Sequence, residues 1–489
     1  MLKTAGWLLP AILALAGCSS SGQRHEQTLS QALTALGQDK ALIGASSGVM
    51  VRDAESGTVL YQAQAEQRLA PASNMKMFTS LAAFGVLGAD YRFETRLLTT
   101  GEQRGDTLRG DLYLQGSGDP TLHPDDLDTF AATLAQRGIR HIHGRLILDA
   151  SAFDQTPFGA GWSWDDEPFA FAAPISALNY AFTPGGDINV VQVDVQPGAR
   201  AGAPGRVSFY PANDAVTLVN RTTTTGGDTA LTFDRQPGSN RIVVSGTVAA
   251  QAEASSRLIT VDQPARVVGA LLQNALRAHG ITLRGNAEEG VTPAGARLLA
   301  EKTSPPLSRL AVTFLKVSNN GYGEVLTKAM GRKTQGKGDW AAGLQAIGRF
   351  VQSQGIEAGA YRQVDGSGLS RMNQITPQQL TTLLLAARKQ PWFADWYNAL
   401  PIAGQPGLLV GGTLRSRMVK SAAAGRAHAK SGSMTGVSSL SGYVDSAAGR
   451  PLAFAIISNN YLVPGAEVKA LEDRLVETLA ACDATVVCR

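Results

Sequence analysis

The sequence predicts an α/β (α+β) protein in which an antiparallel sheet flanked by helices is interrupted by a large, strand-rich insertion. Three observations lead to this fold class. A strand hairpin and an apolar helix lie near the start of the chain, strands and a helix recur near its end, and short alternating strands dominate the middle. Because the two ends combine the same kinds of element, we expect them to form one domain.

The first predicted elements are a β-hairpin and a buried helix. Residues 48–53 and 58–62 flank a turn of sequence Ala-Glu-Ser-Gly at 54–57, which favours a hairpin. The apolar, periodic segment 74–86 follows Pro71 and predicts a helix buried in the core.

The middle of the chain is rich in short strands from Tyr91 onward, with one helix expected near residues 125–137. The segment 187–262 predicts an all-β unit. The later predicted elements are a helix at 264–279, helices from 307 to about 396, strands at 427–431, 438–444 and 452–458, and a final amphipathic helix after Pro464.

The composition excludes several classes of protein. Of the 489 residues, 44% are hydrophobic and 17% are charged, which excludes a mostly disordered chain. A net charge of +4 gives little support to nucleic-acid binding, so no nucleic-acid partner is expected. No metal-ligand spacing is present, and neither a metal nor another cofactor is expected. The sequence does not indicate an oligomeric state.

The first residues predict export and a membrane anchor. Lys3 precedes an apolar run that is too short to span about 30 Å of hydrocarbon comfortably, as in a signal peptide. Leu-Ala-Gly directly before Cys18 resembles a bacterial lipobox, which predicts a signal peptide at 1–17, a lipidated Cys18 and a tether over 18–28. Ser19 resembles an outer-membrane sorting signal, so we expect anchoring in the cell envelope, facing the periplasm. Ordinary signal cleavage without a lipid is the alternative.

The other two cysteines lie close together at the C-terminus. In an oxidising compartment, a local disulfide between Cys482 and Cys488 is expected.

The first chemical motif is Ser73-x-x-Lys76, at the predicted start of the buried helix. Residues three apart share one face of a helix, and helix N–H groups near Ser73 favour negative charge there. A desolvated lysine beside a serine can serve as the base that activates it as a nucleophile.

Two further motifs offer partners for that serine. Lys430-Ser431-Gly432 lies on a predicted strand, where Lys430 offers a cation, Ser431 a hydroxyl and Gly432 room for a substrate backbone. The backbone N–H groups of Ser433 and Ser73 are the candidate oxyanion hole.

Ser318-x-Asn320 lies between two helical segments and offers a hydroxyl and an amide for proton relay. The same pattern occurs at residues 458–460, at the end of a predicted strand, where a structural role is expected.

In this order the three motifs resemble those of penicillin-binding proteins and serine β-lactamases. The long gap between the first two resembles the D-alanyl-D-alanine carboxypeptidase/endopeptidase family of the class C low-molecular-mass type, peptidase family S13. Similar stretches occur at residues 71–76, 116–120, 365–371 and 400–404, and the resemblance covers nearly all of the mature chain.

The resemblance implies a transpeptidase-like fold and a division into domains. The expected units are a catalytic domain from residues 29–91 and 301–489, an insert domain II from 92–186 and 263–300, and a nested all-β insert domain III at 187–262.

The resemblance also implies roles for the motif residues. Ser73 would be acylated by the D-Ala-D-Ala end of a peptidoglycan stem peptide or by a β-lactam, with Lys76 as general base. Ser318 and Asn320 would relay protons and position the peptide, and Lys430 would assist the relay and bind the terminal carboxylate.

A substrate side-chain pocket is implied as well. Asp166, within the Trp-Ser-Trp-Asp-Asp stretch at 162–166, would meet the ammonium of a diaminopimelate side chain, with Phe171 nearby and Arg371 facing the carboxylate. Relatives often carry glutamine where this chain has Thr435, which leaves the side-chain preference open.

Three alternative functions fit the sequence less well. A class A β-lactamase needs an extra glutamate in an E-x-x-x-N context, and only Glu324 and Glu357 lie between Asn320 and Lys430, neither in that context. A lipase-type elbow, matched by G-x-S-x-G at 44–48, needs a strand before and a helix after it, whereas this one precedes a strand. A non-catalytic peptidoglycan-binding lipoprotein would not need an activated serine.

Overall fold

The computed structural model describes residues 28–483. Its first elements are helix α1 (Leu29–Gly37), strands β1 (Ser46–Asp53) and β2 (Val59–Ala63), and helix α2 (Met75–Leu87). The predicted hairpin and buried helix are confirmed, with boundaries within two residues of those expected.

The middle of the chain forms four sheets and two helices. Its elements are β3 (Glu94–Thr99), β4 (Glu102–Arg104), β5 (Thr107–Arg109), β6 (Leu112–Gly116), α3 (Pro124–Gln136), β7 (His141–Ile142), β8 (Leu146–Asp149), β9 (Val190–Gln196), β10 (Arg206–Tyr210), β11 (Thr217–Thr225), β12 (Ala230–Arg235), β13 (Arg241–Ala249), β14 (Ser255–Thr260), α4 (Pro264–Ala278), β15 (Thr282–Leu283), β16 (Ala287–Glu289) and β17 (Arg297–Thr303). The sheet orders are β15-β7-β5-β4, β16-β8-β6-β3-β17, β10-β9-β14 and β11-β13-β12.

The last part of the chain is first helical and then returns to strands. It contains α5 (Leu307–Lys316), α6 (Asn320–Gln335), α7 (Trp340–Ser353), α8 (Pro377–Ala387), α9 (Phe393–Asn398), β18 (Ala427–Met434), β19 (Val437–Asp445), β20 (Pro451–Asn459) and α10 (Gly465–Ala481). The expected helical region is interrupted between α7 and α8 by an irregular segment that contributes to the site described below.

One antiparallel sheet of order β18-β19-β20-β1-β2 joins the two ends of the chain. Strand β1 pairs with β20 along its whole length, from Ser46 opposite Asn459 to Asp53 opposite Leu452. The predicted α+β fold, with a strand-rich insertion between two halves of one sheet, is therefore confirmed.

Helix α2 occupies the core beside this sheet. Nearly every one of its residues is buried, and it packs against α6, α7 and α8. A helix with apolar side chains on all faces is stable only when it is enclosed in this way. The enclosure fixes the position of the α2 N-terminus, where the first motif lies.

Within residues 28–483, none of the helices combines the length and the apolar character needed to cross a membrane.

Candidate active site

Ser73 lies in a short 3-10 turn, Ala72–Asn74, that leads directly into α2. Ala72 adopts a φ of +47°, a conformation that non-glycine residues rarely take and that costs about 1–3 kcal/mol. The buried Asn74 amide donates a 2.6 Å hydrogen bond to Ser439 Oγ on β19, which ties the turn to the sheet. The surrounding structure therefore holds Ser73 in a fixed position, directly after the strained Ala72.

Lys76 is completely buried and points back towards Ser73. Its Nζ lies 3.0 Å from Ser73 Oγ, 2.6 Å from Asn320 Oδ1 and 2.8 Å from the carbonyl oxygen of Ser367. The amine is thus aimed at the serine hydroxyl by two oxygen acceptors from other parts of the chain.

Burial lowers the pKa of Lys76 to about 7, although the charges of Glu324 and Asp365 act in the opposite direction. A lysine with this pKa is partly neutral at neutral pH and can accept a proton, which an ordinary lysine cannot do. Lys76 is therefore a desolvated lysine of the kind that the Ser73-x-x-Lys76 motif predicts.

The other two motifs meet at a second buried amine. Lys430 Nζ donates hydrogen bonds to Ser318 Oγ at 2.8 Å and to the Ser431 carbonyl at 2.6 Å. Burial and the nearby charge of Lys76 lower the pKa of Lys430 well below its ordinary value. Ser318 has a φ of +62° and connects α5 to α6, so its hydroxyl is presented between two helices.

Gly432 lies against the turn that contains Ser73. A Cβ at this position would lie 2.4 Å from Ser439 Oγ, 2.6 Å from the Pro71 carbonyl oxygen and 2.9 Å from Ser73 N. Glycine is therefore required so that β18 can approach the Ser73 turn, and room for a substrate backbone at Gly432 stays a prediction.

The Ser431 hydroxyl donates to Thr413 Oγ1 at 2.7 Å. Among the described residues that line the cleft beside Ser73, neither Ser431 nor Gly432 is present. Ser433, at the end of β18, does line it.

A cleft of about 740 Å³ opens in front of Ser73. The chemical motifs contribute Ser73, Ser318, Asn320 and Ser433 to its walls. The predicted side-chain pocket contributes Trp162, Ser163, Trp164, Asp166, Phe171, Arg371 and Thr435. Two groups of residues that lie far apart in the sequence thus share one cleft.

The acidic and basic members of the pocket influence each other. Partial burial and the adjacent Asp165 raise the pKa of Asp166, and the charge of Arg371 counteracts this. Arg371 also donates a 2.8 Å hydrogen bond to the Thr435 carbonyl. Phe171 stacks on Phe169 with 5.5 Å between the ring centroids.

Asn320 links this pocket to the motifs. Its Nδ2 donates a 2.7 Å hydrogen bond to the Phe171 carbonyl, while its Oδ1 accepts from Lys76. The amide therefore contacts both the base and the pocket wall that the insertion supplies.

Sequence reasoning missed two buried carboxylates behind the site, Glu324 and Asp365. The sequence draws attention to Glu324 only as a possible β-lactamase glutamate, and to Asp365 only as part of a stretch that resembles the family. The spacing of Asn320 and Glu324 could have revealed Glu324 as a site residue. The two are four residues apart and therefore lie on the same face of α6.

The G-x-S-x-G pattern at 44–48 and the second S-x-N pattern at 458–460 have structural roles. Ser47 Oγ and Ser458 Oγ hydrogen-bond at 2.9 Å across the β1–β20 pair. The Asn459 side chain accepts from the backbone N–H of Ala70 at 2.7 Å. Neither pattern lies on the cleft.

Cys18 and Cys488 lie outside the described residues, and Cys482 is buried just after α10. The lipid attachment and the disulfide therefore stay predictions.

Known proteins are similar to this chain over most of its length. The model of the D-Ala-D-Ala carboxypeptidase 3 (S13) family matches residues 29–482. The D-alanyl-D-alanine carboxypeptidase of Actinomadura sp. (strain R39) is 41% identical over 480 residues, which cover 97% of this chain and 88% of the relative.

Penicillin-binding protein 4 (dacB) of Haemophilus influenzae has a similar fold, with a TM-score of 0.80 and 27% identity over 91% of this chain and 98% of that one. A second structure of the same protein, in complex with a β-lactam, has a TM-score of 0.76 and 26% identity, again over 91% of this chain and 98% of that one.

Proposed function

The chain belongs to the D-Ala-D-Ala carboxypeptidase 3 (S13) family, and we propose that it cleaves the D-Ala-D-Ala ends of peptidoglycan stem peptides through an acyl-enzyme on Ser73. Membership of the family confirms the resemblance found in the three motifs. The observation that carries the mechanism is the buried Lys76 amine, 3.0 Å from Ser73 Oγ, with a pKa of about 7.

Acylation begins with proton transfer from Ser73 Oγ to the neutral Lys76 amine. The oxygen then attacks the carbonyl carbon of the penultimate D-alanine and forms a tetrahedral intermediate. The N–H groups of Ser73 and Ser433 donate to its oxyanion, and such donors are most effective where charge develops in a desolvated site.

The leaving D-alanine must gain a proton as its C–N bond breaks. Ser318 Oγ, which accepts from Lys430, is placed to pass this proton between the amines and the leaving nitrogen. Lys430 would also donate to the terminal carboxylate, and Asn320 would position the peptide. Water then attacks the acyl-enzyme, with Lys76 again as the base, and releases the shortened peptide.

The pocket beyond Ser73 fits a side chain that carries both an ammonium and a carboxylate. Asp166 would pair with the ammonium, Arg371 with the carboxylate, and Phe171 would cover the methylene groups between them. A diaminopimelate side chain in a stem peptide has this chemistry. Thr435 fills less of the end of the pocket than glutamine would.

We infer endopeptidase activity as well. A peptide cross-link also presents a D-alanine carbonyl, and it differs from the carboxypeptidase substrate only in the amine that leaves. The same acylation chemistry therefore serves both reactions.

The mature protein is proposed to be a lipoprotein of the cell envelope. The lipobox-like sequence before Cys18 supports a membrane anchor, with the catalytic domain (29–91 and 301–489) and insert domains II (92–186 and 263–300) and III (187–262) facing the periplasm. Cys482 and Cys488 are proposed to pair in this oxidising compartment.

Labelling with a fluorescent penicillin tests the covalent step. The wild type should give a stable labelled band that Ser73→Ala lacks, and digestion of monomeric and cross-linked muropeptides should release D-alanine and separate the cross-links. Rapid, continuous nitrocefin hydrolysis without an adduct would identify a β-lactamase instead, and absence of any serine-dependent band would identify a binding protein.

A further inference from the structure

Two buried carboxylates enclose the turn whose carbonyl faces Lys76. This turn comprises residues 366–368 in the irregular segment between α7 and α8, and its Ser367 carbonyl accepts the 2.8 Å hydrogen bond from Lys76 Nζ. Buried backbone N–H groups outside regular helices and strands need hydrogen-bond partners from elsewhere in the protein. Here the neighbouring N–H groups are held by carboxylates.

Glu324 on α6 binds this turn directly. Its Oε2 accepts from Gly366 N at 2.8 Å and its Oε1 from Ser367 N at 2.8 Å. The Trp340 indole donates a third hydrogen bond to Oε2, at 2.7 Å. Because the Glu324 side chain is completely buried and meets three N–H donors, its carboxylate is oriented by both the turn and α7.

Asp365 holds the other side of the same turn. Its oxygens accept from Gly368 N at 2.8 Å and from Ser370 N at 2.7 Å. The Trp162 indole, which lines the cleft, donates to Asp365 at 3.0 Å. Each carboxylate accepts a hydrogen bond from a tryptophan, and the two together hold the turn on both sides of the Ser367 carbonyl.

We propose that Glu324 is a positioning residue for acylation: it holds the Gly366–Ser367 turn so that the Ser367 carbonyl keeps the Lys76 amine aimed at Ser73. This inference rests on the proposed function, because it assigns Glu324 a part in the Lys76 step. Glu324 itself touches neither Ser73 nor the cleft, and it acts through the turn and through its charge.

The charges around Lys76 give the proposal a measurable signature. Lys76 and Glu324 lie near each other and near three further titratable groups. These are Asp365, the cationic Lys328 beside Trp340, and Lys430 across the site. Glu324 and Asp365 raise the pKa of Lys76 against the effect of burial. Burial raises the pKa of Glu324 itself to about 7, so removing its charge should lower the pKa of Lys76 and extend acylation to lower pH mainly where Glu324 is ionised.

The test is the second-order rate constant for acylation by benzylpenicillin, measured against pH for the wild type, Glu324→Gln and Glu357→Gln. Glutamine at 324 places an NH₂ group among three N–H donors, so at least one hydrogen bond is lost and the turn shifts. A displacement approaching 1 Å lowers the rate by up to about 100-fold. The acid limb of the profile should also move to lower pH, whereas Glu357→Gln, which removes an exposed glutamate, should match the wild type.

Trp340→Phe provides a second variant, because it removes the indole donor and keeps the Glu324 carboxyl group. It should slow acylation, and its acid limb should move less than that of Glu324→Gln. A folded Glu324→Gln protein that is acylated at the wild-type rate, with an acid limb that coincides with that of the wild type, overturns the proposal. If Glu324→Gln does not fold, a folded Trp340→Phe protein with the wild-type rate overturns it. Failure of the wild type itself to acylate at Ser73 would instead refute the proposed function.

Discussion

Replacing Gly432 with alanine should disable the site by moving the Ser73 turn. The added methyl group would lie 2.6 Å from the Pro71 carbonyl oxygen and 2.9 Å from Ser73 N, which are backbone atoms that cannot rotate away. To restore ordinary contact, the turn and β18 must separate by roughly 0.8 Å. A shift of about 1 Å in a reacting group costs about 100-fold in rate, so the acylation rate constant should fall by up to that factor.

Such overpacking should also lower the free energy of unfolding by about 1–3 kcal/mol. The assay is acylation by benzylpenicillin, combined with thermal unfolding to show that the variant is folded. Gly226→Ala is the matched control, because no atom lies within 4 Å of its added Cβ and its φ is not in the left-handed region. A folded Gly432→Ala protein acylated within about threefold of the wild-type rate would refute the reasoning.

Three further perturbations follow from the same geometry. The wild-type acylation rate should rise with pH around a pKa of about 7, because neutral Lys76 is the base and protonation as pH falls removes it; a stopped-flow pH profile that is flat from pH 5 to 9 would contradict this. Lys430→Ala should lower kcat for D-alanine release by about 100-fold or more, measured by amino-acid analysis, since Ser318 loses its relay partner. Asp166→Asn should raise KM about tenfold for peptides with a free diaminopimelate ammonium, while a peptide with that amine acetylated should be unaffected; equal effects on both would contradict a pairing role.

The α+β class and the local elements were predictable because they depend on periodicity and short spacings, whereas the meeting of the three distant motifs was an expectation from the family resemblance. The three-residue spacing of Ser73 and Lys76 is enough to predict that the two side chains lie together, because residues three apart at the start of a helix share one face. The hairpin and the terminal strands were likewise readable from turn residues and alternation. Strand β18 runs three residues further than expected, and this extension carries Ser433 and Met434 to the cleft.

The remaining features depend on long-range packing, which local pattern does not encode. Nothing around Glu324 or Asp365 shows that their carboxylates are buried, because charged residues are normally exposed. The reason for glycine at 432 is the approach of the Ser73 turn, from a segment more than 300 positions away in the sequence. The lowered pKa of Lys76 also arises from burial that only the assembled structure supplies.

The central claim is that Ser73 Oγ forms the covalent acyl intermediate. Acid quenching of the enzyme during turnover of a D-Ala-D-Ala peptide or a slowly released β-lactam, followed by proteolysis and mass spectrometry, locates the acyl group directly. The account predicts an adduct on the peptide that contains Ser73, lost in a folded Ser73→Ala variant. An adduct on any other residue, or turnover that persists in Ser73→Ala, would contradict it.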